Sequence, residues 1–245
     1  MNFMSRKAIK KKNIERVKGI PDSCPLQCYF PTPEDIPISS PLVMVGMDSG
    51  VSNTAFAYIE LVQGKQTKGI VDFKFGDAYY FKDDLDLYSL QKDKQFFLCQ
   101  QYYQLFSHKL VESLSFELLP LTTIKDYDTL KGVLDAQSTT DMISTVAFQL
   151  RHYYTPIPPT SVKYCLTGNG KATKEEMCKA AFSLTGDKRL LDNDHMADSF
   201  ACCFYSFIQK VKEDCVYFGT PIPQKFASMD WNFRVMPAPP WGYKG

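Results

Sequence analysis

The sequence is expected to fold as an α/β protein, a mixed five-stranded sheet flanked by helices, set between an N-terminal arm and a proline-rich C-terminal tail. Three observations lead there. Between Leu42 and Phe75 apolar residues alternate in three runs broken by glycine and polar turns, the pattern of a hairpin meander. From Tyr88 onward the apolar spacing lengthens to that of helices with one buried face. Two short apolar runs, Leu114–Leu118 and Tyr153–Ile157, then interrupt the helices, so that β-α-β units follow the meander.

Taken in order, residues 1–41 form the arm. Arg6 to Lys18 (RKAIKKKNIERVK) is basic, either a solvated tail or a segment that tracks DNA, and Pro21 to Pro41 is proline-rich and aperiodic. Strands are expected at Val43–Met47, Thr54–Val62 and Ile70–Phe75, with Gly50 and the GKQTKG segment as turns. A helix is expected over Tyr88–Leu114, where Leu90, Phe97, Leu98, Tyr102, Leu105 and Leu110 share a stripe. A second covers Asp128–Arg151, marked by Leu130, Leu134, Met142, Val146 and Leu150. Thr173–Leu184 opens with the capping box Thr173-Lys-Glu-Glu176, and Asn193–Lys212 opens on another small polar cap. The domain spans 42–212 and the tail 213–245. A meander followed by β-α-β units is the element order of the ribonuclease H-like fold.

Composition narrows the function. Of 245 residues, 44% are apolar and 22% charged, and the formal charge is +1, so any nucleic-acid binding has to come from a local patch. No apolar stretch reaches membrane-span length, and the N-terminus lacks the apolar core of a secretory leader. The eight cysteines are scattered, several of them inside expected helices (Cys99, Cys178, Cys202, Cys203), as in reduced thiols, which points to an intracellular location, cytoplasm or nucleoid, or host cytoplasm for a viral chain. The basic start lacks the arginine and serine bias of a transit peptide, which tilts the reading away from an organelle. Cys24 and Cys28 have loose metal-ligand spacing with no second pair nearby, so structural zinc and an incidental loop pair both stay open.

The chemistry resides in the acids. Asp48 ends the first apolar strand, Glu117 stands near the end of the fourth, and the two strands are neighbours in a sheet of this topology. Asp194, His195 and Asp198 fall within one turn of the last helix. A carboxylate on an otherwise apolar face is costly unless it is paired or binds metal. Such a set, drawn from two strand ends and one helix, suits paired divalent cations, with magnesium favoured by the oxygen ligands and manganese able to substitute. Each residue also has a plainer reading. Asp48 fits a turn, or the phosphate loop of an actin-like ATPase; Glu117 fits an exposed strand end; Asp194 fits a helix cap.

Five stretches, GMDSGVSNTAFA, SFELLP, TLKGVLDAQSTTDM, VKYCLTGNGKATKEEM and HMADSFACC, together resemble the RuvC-like Holliday-junction resolvases over about residues 42–210. The resemblance implies that Asp48, Glu117 and Asp198 are metal ligands. His195 stands where that family usually has aspartate; an imidazole there is a ligand or a general acid or base, and Asp194 is the alternate ligand. Lys163 and Lys174 match basic positions, Lys163 as a cation that balances charge at the scissile phosphate. Lys171 is a backbone contact or plain solvated surface, and Gly168 and Gly170 let the chain pass close to a phosphate. The implied activity is two-metal-ion nicking of branched DNA, above all four-way junctions, by a symmetric homodimer. The aromatic helix carrying Phe96, Phe97, Tyr102, Tyr103 and Phe106 is then a dimer-interface candidate, with packing on the sheet as the plainer reading. The tail segments Met229-Asp-Trp-Asn-Phe and Pro239-Pro-Trp-Gly-Tyr are aromatic enough to pack on the domain or on a protein partner. A nuclease of the same fold acting on RNA, and a non-catalytic DNA-binding or assembly module, are the competing readings.

Overall fold

The computed structural model describes residues 41–50, 52–64, 69–118, 126–226 and 229. The N-terminal arm with Cys24 and Cys28, and the tryptophan segments of the tail, lie outside the described residues. Strands β1 (Leu42–Ser49), β2 (Thr54–Gln63) and β3 (Ile70–Tyr80) form the antiparallel meander. Helices α1 (Lys82–Asp86) and α2 (Gln91–Phe106) lead into β4 (Leu110–Glu117), and α3 (Tyr127–Gln149) into β5 (Tyr153–Ile157). Then come α4 (Pro159–Thr167), α5 (Lys174–Thr185), α6 (Arg189–Asp192) and α7 (Asp194–Phe218). The sheet order is β3-β2-β1-β4-β5, with β4 parallel to both β1 and β5. The mixed ribonuclease H-like sheet, with its first and fourth strands adjacent, is as expected.

Alternation along β1 divides the interior in two. Val43, Val45 and Met47 pack with Phe56, Tyr102, Phe106 and Ile143 under α2 and α3. Met44 faces the other way, into the cluster of Phe73, Phe200, Phe204 and Phe207 beneath α7. On that second face a Cβ built at Gly46 would lie 1.9 Å from the Ser199 carbonyl oxygen, so only glycine admits α7 at this spacing. Residues two apart share a face. Asp48 therefore projects to the same side as Gly46, towards the start of α7.

Several elements differ from the sequence expectation, among them the short helices α1 and α6, which had no expected counterpart. The helix expected to reach Leu114 ends at Phe106, because Leu110–Phe116 pairs with β1 instead. Leu110 and Leu114 fit a helical stripe and a strand alternation equally. β3 continues past Phe75 to Tyr80 through a bulge, where the partner of Tyr58 is Asp77 and that of Ile59 is Phe75. Gly76 is the extra residue, and its missing side chain leaves room for the Tyr58 ring. α4, where no element was expected, starts with Pro159 in its first turn and stops at Gly168 in the left-handed conformation, φ 76°. α7 runs beyond Lys212 to Phe218, and Phe226 buries its ring against Phe207.

The close approach at Gly46 yields a first prediction. Gly46→Ala has to displace helix backbone, not a flexible side-chain end, so its cost should sit at or above the top of the ~1–3 kcal/mol range for overpacking. Urea denaturation reads it directly; an unchanged midpoint would show that α7 does not press on β1.

Candidate active site at the β1–β4 edge

Asp48 and Glu117 stand side by side. The last register pair of the two parallel strands is Met47 with Phe116, and each acid is the next residue. Both face α7: Asp48 follows Gly46 by two, and Glu117 follows Ser115, whose hydroxyl bonds the Ser206 hydroxyl of α7. The α7 helix begins at this edge. Its cap is Asn193, whose side chain accepts from the Met196 amide at 3.0 Å, so Asp194 is not spent on capping. Asp194, His195 and Asp198 then project from the first turns.

Two of these acids have partners. His195 Nδ1 is 2.6 Å from Asp48 Oδ2, and this bond raises the pKa of the imidazole. The His195 ring also lies over Tyr80, centroids 5.5 Å apart and planes 13° from parallel. Asp194 forms an ion pair with Lys174, which lowers the carboxyl pKa and raises that of the amine.

Glu117 and Asp198 have no such relief. Neither side chain is hydrogen-bonded or ion-paired to a described residue. Burial first, then the charges of Asp198 and Asp48, push Glu117 up to about 7 against the pull of Lys163 and Lys174. Burial and then Asp48 push Asp198 up to about 6. The three carboxylates thus share one electrostatic field. They are not drawn into a finished cage: among the described residues, no three His, Cys, Asp or Glu side chains are gathered at coordinating distance.

The basic residues line one flank. Lys163 sits on α4, and its Nζ donates to the Ala172 carbonyl at 3.2 Å, tying that helix to the turn before α5. Lys171 is exposed in this turn, its backbone amide bonded to the Asn169 side chain. The two glycines have local explanations. Gly168 ends α4, and a Cβ at Gly170 would meet the Thr160 carbonyl at 3.3 Å. In the aromatic helix, Tyr102 and Phe106 are core, Phe97 and Tyr103 pack partly against it, and Phe96 is 45% exposed. Sheet packing therefore accounts for most of that helix.

Two hydrogen bonds near the site lie outside the sequence expectation. Tyr80 was cut off when the third strand was ended at Phe75. Its hydroxyl donates to Asn53 Oδ1 at 3.2 Å, and Ser49, beside Asp48, bonds Thr140 of α3 at 2.6 Å. The register Asp48–Ala55–Tyr80 across β1, β2 and β3 is the signal that a full-length third strand would have supplied.

No protein-family profile matches the sequence, and neither does any curated protein. Among solved structures, RuvC of Thermus thermophilus superposes with a TM-score of 0.54 at 17% identity, over 74% of this chain and 99% of RuvC. The chain has the RuvC fold. The T. thermophilus RuvC complex with a Holliday junction substrate gives 0.54 at 19% identity, over 69% and 96% of the two chains. The yeast mitochondrial Holliday junction resolvase Ydc2 scores 0.42 at 14% identity, over 71% and 83%, too distant to bear on the argument. At these identities the likeness to RuvC is one of fold.

The shifted carboxyls set a pH dependence. A carboxyl whose pKa is higher in the folded chain than in the unfolded one holds its proton more tightly when folded. That contribution is full below the unfolded value and is lost as pH rises through the folded one. Glu117 at about 7 and Asp198 at about 6 place the loss between mildly acid and neutral pH. In chelator, the melting temperature should fall as pH rises from about 5 to about 8. Glu117→Gln and Asp198→Asn should each flatten the slope, and a slope unchanged in both would mean that these acids are not the strained ones.

Proposed function

We propose that the chain is a divalent-metal-dependent endonuclease that nicks branched DNA, four-way junctions among its substrates. The observation that carries this reading is the convergence of Asp48, Glu117 and Asp198 at one sheet edge, two of them half-buried with no partner among the described residues. Such a cluster is unfavourable unless positive charge is added to it. The donor set of carboxylate oxygens and one imidazole fits magnesium or manganese. Asp48, Glu117 and Asp198 would hold the metal, with His195 as the further ligand and Asp194 as the alternate. Bound there, paired ions supply an activated water and offset the charge on a phosphodiester.

The protein's own groups do the rest. Lys163, held by the Ala172 carbonyl and within the field of Glu117, supplies a fixed cation for charge that grows on a phosphate. Lys174 steadies the first turn of α7 through Asp194, and Lys171 is free to meet a DNA backbone. A homodimer would match the near-two-fold symmetry of a four-way junction. Support from outside the chain is the fold shared with T. thermophilus RuvC, a structure of which holds a Holliday junction. An intracellular site of action, wherever branched DNA forms, follows from the same reading. Two observations favour the non-catalytic alternative: Asp48 is already engaged by His195, and no finished cage exists among the described residues.

Nicking of four-way, three-way and linear DNA, in magnesium and in chelator, separates the two readings. Asp48→Asn should cut at least about 100-fold more slowly, as loss of an essential group does, while junction affinity stays near wild type. An Asp48→Asn chain that cuts normally removes Asp48 from the mechanism; a wild-type chain that binds junctions and never nicks them leaves the DNA-binding module. Lys163→Ala should lower cleavage more than binding, and equal losses would make Lys163 only a phosphate anchor. Magnesium should also raise the melting temperature more at pH 8 than at pH 6, because deprotonated carboxylates bind it better (both values on the order of the window above).

A further inference from the structure

His195 has one hydrogen-bond partner among the described residues, Asp48 at Nδ1, and none at Nε2. A ring held by a single bond is free to tilt about it. What limits the tilt is Tyr80, whose ring lies nearly parallel to the imidazole at 5.5 Å. Tyr80 is itself held at both ends. Its backbone is the last residue of β3, paired with Ala55, which in turn pairs with Asp48. Its hydroxyl donates to Asn53 in the turn that follows β1. That turn is braced by Thr54 Oγ1 donating to the Gly50 carbonyl at 2.9 Å and by the Ser49–Thr140 bond. Asp48, His195, Tyr80 and Asn53 therefore form a closed circuit that starts and ends on the β1–β2 hairpin.

We propose that Tyr80 is a positioning residue for the active site: held at the end of β3 and stacked on His195, it sets the plane of the imidazole, which keeps Nδ1 on Asp48 and Nε2 open. Its catalytic consequence rests on the nuclease reading; its structural consequence does not. The tyrosine is not placed as a base. Its hydroxyl is committed to Asn53, and burial together with Asp194, Asp83, Asp48 and Asp86 raises its pKa and keeps it protonated. The ring face carries the role, so phenylalanine should replace tyrosine and an aliphatic side chain should not.

The chain has three histidines, which makes the test direct. Imidazole proton NMR of the full-length, metal-free protein reads the stack as an upfield ring-current shift of the His195 signals. His152, buried on the opposite face against the Tyr102 hydroxyl, reports whether the fold is intact. Tyr80→Phe should keep the shift and most of the nicking rate. Tyr80→Leu should lose the shift and lower kcat about 10- to 100-fold, the scale of an ångström-sized misplacement, with KM for a four-way junction unchanged. Tyr80→Gln replaces it if His152 moves. The proposal is overturned if the shift survives without an aromatic ring, if Tyr80→Leu nicks at the wild-type rate, or if Tyr80→Phe is as impaired as Tyr80→Leu. It is overturned too if KM rises in step with the loss, since Tyr80 would then be touching DNA. A wild-type chain that nicks nothing ends the nuclease reading, and the ring shift alone then decides whether Tyr80 orients His195.

Discussion

The contact between Gly46 and the Ser199 carbonyl governs this molecule. A helix normally stands off a sheet by the length of two side chains. Here one of the two is missing, and α7 comes down on β1. Asp198 is the residue before Ser199, and His195 lies one turn earlier, so the approach that buries the helix also lowers its acids over Asp48 and Glu117. The same closeness strips water from them. A rise of Glu117 from 4.5 to about 7 and of Asp198 from 3.8 to about 6 corresponds to about 3 kcal/mol for each when ionised. Burial of Phe200, Phe204 and Phe207 on the same helix contributes about 1.5–3 kcal/mol each. Those two totals are of similar size, and the other buried apolar side chains of α7, Ala201, Tyr205, Ile208 and Val211 among them, add to the packing side, so the helix keeps its place despite the desolvated acids it carries.

The charges at this edge divide into satisfied and unsatisfied. Asp48 has His195 and Asp194 has Lys174, each pair joining α7 to a different neighbour. Glu117 and Asp198 face each other's field with Lys163 and Lys174 as more distant compensation. The deficit of positive charge lies between those two acids. A cation entering the site gains most there, and it gains less beside Asp48 unless the imidazole gives way or shares it. That asymmetry is why the orientation of His195 matters to the proposed chemistry.

Much of this arrangement was legible in the sequence, and what was not has physical causes. Asp48 and Glu117 stood out as acids at the ends of apolar runs, although a turn and an exposed strand end fitted them as well. α5 declared its start through Thr173 and Glu176, and α7 through Asn193 followed by a long apolar stripe. The first and fourth strands were placed side by side by element order alone. The bulge at Gly76 was illegible, since glycine followed by aspartate reads as a turn until the partner strand is known. α4 was hidden by prolines that break most helices and open this one. Tyr80 and Asn53 needed the register of three strands. Which acid takes which base was beyond the sequence too, because it placed Asp48, Asp194, His195 and Lys174 at one end and left the pairing undecided.

A net charge of +1 leaves the whole molecule with little long-range pull on DNA. The local field is another matter, and it is lopsided. Lys163, Lys171 and Lys174 border the acids on the α4–α5 side. On the Tyr80 side stands α1, whose Asp83 and Asp86 reach Tyr80 with their charge. α1 is anchored there by Leu85, which is fully buried. A phosphate backbone nearing this edge meets attraction on one flank and repulsion on the other. Screening at physiological salt, with a Debye length of about 8 Å, confines both effects to the immediate rim. Preference for a branched substrate, on the proposed function, then rests on shape and on this short-range polarity, because a duplex laid straight across the site would have to pass the acidic flank as well as the basic one.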